Sequence, residues 1–242
     1  MSEEKFKFPT ELVDLPSKGK IYPKDHPLSS GKVEMKYMTA KEEDILTNQN
    51  YIEKGIVLDK LLESLTMQKF DIKDVHTGDK NAILIASRIL GYGSEYKFEY
   101  NTKEYTIDLS TLENKPFDTD ALSDEGYGTF EMPSNGIVVE YKHLTEKDIE
   151  KITQEVLSFS KLSKAAAPEV TTKLKHQIVS IDGDKSKSEI RKYVDNFLLA
   201  RDSRALRNHI KELGPDIDLK YTVDDGTEID IPITVNFFWP DL

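Results

Sequence analysis

A pattern that appears in the first half of this chain returns in the second. Val33-Glu34-Met35-Lys36-Tyr37-Met38-Thr39-Ala40-Lys41-Glu42 is answered by Val138-Val139-Glu140-Tyr141-Lys142-His143-Leu144-Thr145-Glu146-Lys147-Asp148-Ile149. Each copy alternates its side chains as a strand does and runs into a Thr placed to cap a helix. Thr77-Gly78-Asp79-Lys80 is matched by Asp182-Gly183-Asp184-Lys185, again just ahead of a helical stretch. Leu90-Gly91, followed by Glu95-Tyr96-Lys97-Phe98 and Thr106-Ile107-Asp108-Leu109, has its partner in Leu213-Gly214, Ile217-Asp218-Leu219-Lys220 and Glu228-Ile229-Asp230-Ile231. The spacing between partners widens along the chain, as one extra helical segment in the second half would produce. The expected fold is α+β: two lobes related by internal duplication, each a small antiparallel sheet with a helical cluster. A doubled unit of this kind reads as a binding platform, since catalysis usually needs one asymmetric pocket.

Local signals divide the chain into four parts. Residues 1–32 read as an extended N-terminal arm, because Pro9, Pro16 and Pro23 remove backbone donors and push their predecessors away from helix. Its apolar groups Phe6, Phe8, Ile21 and Tyr22 must be buried, either along their own domain or on a neighbouring subunit. Residues 33–112 form the first repeat lobe. In it, Thr39 and Glu42 make a capping box, and Leu58, Leu61, Leu62 and Leu65 form a buried stripe. Asp79 is placed to cap the next helix, and period-two strands around Asn101-Thr102-Lys103 predict a β-hairpin. Residues 113–137 connect the lobes and carry enough apolar groups (Phe117, Tyr127, Phe130, Met132) to lie against the protein.

Residues 138–242 form the second lobe, with capping boxes at Thr145 and Ser186 and a C-terminal strand, Ile231 to Leu242. Within that strand stand three consecutive aromatics, Phe237, Phe238 and Trp239. They either close the core or meet another subunit.

The net charge of −11 argues against nucleic acid, whose phosphates require clustered cations. No cysteine is present, which removes disulfides and thiol chemistry. No apolar run has the roughly 20 residues that span a bilayer, and Met1-Ser2-Glu3-Glu4 is the reverse of a basic signal-peptide start. A soluble product of the cytoplasm is expected, without cofactor, metal or small-molecule substrate. No phosphate loop is found. Asp182-Gly183-Asp184 lacks the ligand spacing of a calcium loop, and the five histidines are scattered as surface or packing residues. The densest cationic stretch holds Arg201, Arg204 and Arg207; it reads either as a protein contact or as intrachain pairing with acids.

Several segments together resemble the T4-type bacteriophage baseplate protein family, whose members are baseplate hub subunits or hub assembly proteins. They are Leu15-Pro16-Ser17-Lys18-Gly19-Lys20-Ile21-Tyr22, Met38-Thr39-Ala40-Lys41-Glu42-Glu43-Asp44-Ile45-Leu46, Gly91-Tyr92-Gly93, Ala200-Arg201-Asp202-Ser203-Arg204-Ala205-Leu206-Arg207, Pro215-Asp216-Ile217-Asp218 and Phe237-Phe238-Trp239-Pro240. The resemblance implies a non-enzymatic tail protein, in the virion baseplate or acting during its assembly, with other baseplate or tail proteins as partners. A cytoplasmic adaptor or assembly chaperone absent from the virion is the second reading, and an unrecognised enzyme with a deep polar pocket the third.

Overall fold

A computed structural model describes residues 9–162 and 168–238; Phe6, Phe8 and Trp239 lie outside them. The chain is α+β, with small antiparallel sheets and helical clusters. Strand β1 (Thr10–Asp14) pairs antiparallel with β2 (Lys32–Lys36). The segment joining them folds inward and buries Leu15, Ile21, Tyr22 and Leu28. A tight turn at Lys18 and Gly19, with φ of 51° and 75°, makes that possible. A Cβ on Gly19 would lie 2.3 Å from the Ser29 carbonyl oxygen, so only glycine allows the approach. Residues 10–32 therefore pack along their own domain, the first of the two alternatives for the arm's apolar groups.

Three helices follow, α1 (Ala40–Leu46), α2 (Gln49–Glu53) and α3 (Val57–Leu65), and the last buries Val57, Leu61, Leu62 and Leu65. The chain then returns beside β2, with Met35 bridging Thr66, before α4 (Thr77–Tyr92). The hairpin of β3 (Glu95–Tyr100) and β4 (Lys103–Asp108) turns at Asn101 and Thr102, both in the left-handed region.

The second half also runs from antiparallel strands through helices to a hairpin. Strands β5 (Gly128–Glu131), β6 (Val138–Tyr141) and β7 (Ile178–Ile181) form one antiparallel sheet, with α5 (Glu146–Leu162) and α6 (Glu169–Gln177) between β6 and β7. Helices α7 (Lys187–Asn196) and α8 (Ala200–Leu213) lead to the hairpin β8 (Lys220–Thr222) and β9 (Glu228–Asp230). Ser186 makes no side-chain cap bond to α7; its amide is instead held by Asp184 at 2.8 Å.

Two hydrophobic cores result, and they do not follow the expected boundary. One runs from Leu15 to Phe117 and also takes in Ile217, Ile231, Phe237 and Phe238. The other is built between Met132 and Ile210. After α8 the chain thus crosses back: Lys115 and Asp218 exchange backbone bonds with Asp216 and Glu113 at 2.8 Å, and the Tyr221 ring packs on Phe98 and Tyr105. The 113–137 segment is correspondingly divided. Its start pairs with the returning chain and its end is β5.

The expected terminal strand is also corrected. Pro232 interrupts any ladder, and Val235–Phe238 form a 3-10 turn. In a strand, Phe237 and Phe238 would face opposite ways. In the turn both enter the first core, each fully buried, with their rings 5.5 Å apart edge to face.

Candidate functional site

The same two side-chain devices stand in both halves. Lys36 pairs with Glu42 at 2.8 Å, and the Thr39 amide and hydroxyl donate to that carboxylate. Lys142 pairs with Asp148 at 2.7 Å, and Thr145 closes the corresponding cap. Burial pushes the Glu42 carboxyl up, but Lys36, Thr39 and Ser64 outweigh it and lower it to about 2.

The second device is a serine clamp. The amide of Ser17 donates to Asp79 at 2.9 Å and its hydroxyl at 2.6 Å; the Ser134 amide and hydroxyl donate in the same way to Asp202. Both aspartates are fully buried, each at the third position of its helix, α4 or α8. Asp79 is therefore no helix cap: it ties α4 to the β1–β2 connection, and burial pushes its carboxyl above the usual range against the donors. Its counterpart is Asp202, whereas Asp184 sits exposed in the turn after β7. The two serine segments, though not their aspartate partners, were matched in sequence, since Leu15-Pro16-Ser17-Lys18-Gly19 is echoed by Met132-Pro133-Ser134-Asn135-Gly136.

Where the halves meet, His76 bridges Thr145 as a short antiparallel contact, and Lys80 joins Asp59 at 2.8 Å and Glu146 at 3.3 Å. His76 and His143 are both buried beside a cavity of about 210 Å³ shared by the two halves. Burial, together with His143, lowers His76 to about 4; burial and then His209 lower His143 to about 4. Two neutral imidazoles thus form part of the seam, which the scattered positions of the histidines hid. The crossing Pro215 presses on Gly78, where an added Cβ would lie 1.9 Å from the Pro215 carbonyl oxygen. Gly78→Ala should therefore lose about 1–3 kcal/mol by overpacking, although alanine favours helix interiors. A thermal melt at or above the wild-type temperature would refute this close contact.

The contact residues expected from sequence separate into three groups. Ile21, Tyr22, Phe237 and Phe238 lie in the first core, so burial within their own fold accounts for them. Phe6, Phe8 and Trp239 are outside the described residues. Arg201, Arg204 and Arg207 are brought together on the exposed side of α8, while Asp202, Ser203, Leu206 and Ile210 face inward. Arg207 donates to the Ser203 carbonyl oxygen at 3.2 Å. Among the described residues, none of the three pairs with a carboxylate, so the expected intrachain ion pairs are not formed. Just before them in sequence, Phe197 and Leu199 are 58% and 49% exposed.

Among the described residues no group of three or more His, Asp and Glu is gathered as a metal site requires, and no helix is long and apolar enough to cross a membrane. No family model, curated protein or solved structure matches the chain.

Proposed function

We propose that this protein is a non-enzymatic component of a bacteriophage tail, a baseplate hub subunit or hub assembly factor acting through protein–protein contacts. The observation that carries this reading is the exposed side of α8, where Arg201 and Arg204 meet no carboxylate among the described residues, with Phe197 and Leu199 exposed just before it in sequence. Aromatic residues and arginine are the types enriched at protein interfaces, and a planar guanidinium orients a partner carboxylate as well as attracting it. The resemblance of six segments to the T4-type baseplate family supplies the assembly in which such a face would work.

Arg204→Glu is expected to weaken co-purification with baseplate proteins about tenfold or more, by placing like charges across the contact, while the melting temperature stays unchanged. Unaltered co-purification would overturn the role of this face. Mass spectrometry of purified virions separates the two forms of the proposal. A fixed copy number identifies a hub subunit, and absence from particles that fail to assemble without the protein identifies an assembly factor.

We also infer that the halves arose by duplication of one unit, which the paired serine clamps and Lys–Thr–acid caps support. Superposing residues 10–108 on 128–230 should place Ser17 on Ser134 and Asp79 on Asp202; unrelated positions would remove the inference.

A further inference from the structure

Cations that are scattered between positions 142 and 191 converge on one groove of about 540 Å³. Lys142 follows β6, Lys151 projects from α5 and Lys175 from α6, and Lys185, Lys187 and Arg191 surround the start of α7. Four carboxylates answer them in part. Lys142 meets Asp148 at 2.7 Å, Lys175 meets Asp195 at 2.6 Å, Lys185 meets Glu125 at 3.3 Å, and the neighbouring His176 meets Glu155 at 3.1 Å. Lys151, Lys187 and Arg191 pair with no carboxylate among the described residues. Lys187 and Arg191 lie one turn apart on α7, a spacing at which like charges oppose the helix. An anion between them would relieve that repulsion. The floor is apolar, with Ile178 and Ile190 buried and Val179 partly so.

We propose that this groove binds an acidic peptide segment of a partner protein, its carboxylates meeting Lys151, Lys187 and Arg191 and an apolar side chain resting on the floor. Its size is that of a ligand site. The interleaved carboxylates break the continuous cationic track that a nucleic-acid backbone requires. A long polyanion would also run out over a chain whose net charge is −11, whereas a short peptide does not. The groove is distinct from the α8 face and does not depend on which assembly the protein joins.

The test is fluorescence anisotropy of the full chain with a short labelled peptide of alternating Glu and Leu. Saturable binding that weakens with added salt is expected. The Lys151→Glu/Lys187→Glu/Arg191→Glu variant should lose about tenfold or more in affinity, and Arg204→Glu should lose none. Thermal melting checks that the triple variant is folded; should it not fold, Lys187→Gln/Arg191→Gln gives the same reading with a smaller loss. No saturable binding by the wild type, equal binding by the folded groove variant, or displacement of the peptide by a lower concentration of single-stranded oligonucleotide overturns the proposal.

Discussion

Ending the chain after Val235 should leave no soluble folded monomer. The cut removes Phe237 and Phe238, both fully buried in the first core. Removing a buried phenylalanine side chain costs about 3–5 kcal/mol, and a whole domain has only about 5–15 kcal/mol to lose. The cut also removes the Phe237 carbonyl oxygen, which accepts from Arg88 Nε at 3.1 Å. Arg88 is itself buried and donates to the carbonyls of Gly93 and Glu95 as well, so one side chain joins the end of α4 to the returning chain. Loss of one acceptor around a buried charge adds to the cost. Size-exclusion chromatography and near-ultraviolet circular dichroism decide the matter. A truncated chain that elutes as a folded monomer with the wild-type melting temperature would show that the two rings do not close this core.

Mild acid should destabilise the protein through the seam histidines. His76 and His143 fall to about 4 in the folded chain, below the ordinary value of 6.5. Protonation therefore favours the unfolded chain. Their contribution is fully present above pH 6.5 and is lost as pH falls from there toward 4. By pH 5 the loss is about 2 kcal/mol for each. Glu42, lowered to about 2, works in the same sense but only below its ordinary value of 4.5. Asp79, pushed up by burial, works in the opposite sense. The histidine part is isolated with His143→Gln, which removes one titrating group beside the Phe117 and Tyr141 rings. Urea unfolding at pH 7.5 and pH 5 should show a clear loss for the wild type and a smaller one for the variant. Equal stability of the wild type at both pH values would mean that the imidazoles take up protons without resistance from the fold.

The class of fold was legible in sequence because its signals are local. The Thr39 and Thr145 caps, the Leu61, Leu62 and Leu65 stripe and the Asn101-Thr102 turn each act over a few residues. What was hidden is long-range. Nothing near Ile217 announces that it will bridge Asn114, and nothing near Ser17 announces Asp79 as its partner. The aromatic ending misled because alternation and apolarity fit a strand, whereas Pro232 and a carbonyl held by Arg88 favour a tight turn. Of the candidate sites, the arginine face was readable from one dense stretch of helix. The lysine groove was not, since four separate elements have to assemble before its cations meet.

The return of the chain to its first half also sets an order of events during synthesis. The second core, between Met132 and Ile210, is complete in sequence before Ile217 is made, but the first waits for Phe237 and Phe238. Its helices and hairpins leave the ribosome early with a gap where those rings will sit. Contacts of such sequence separation form slowly and leave apolar surface exposed meanwhile. The half that is made first is thus the half that matures last, and it is there that a nascent chain would most need shelter.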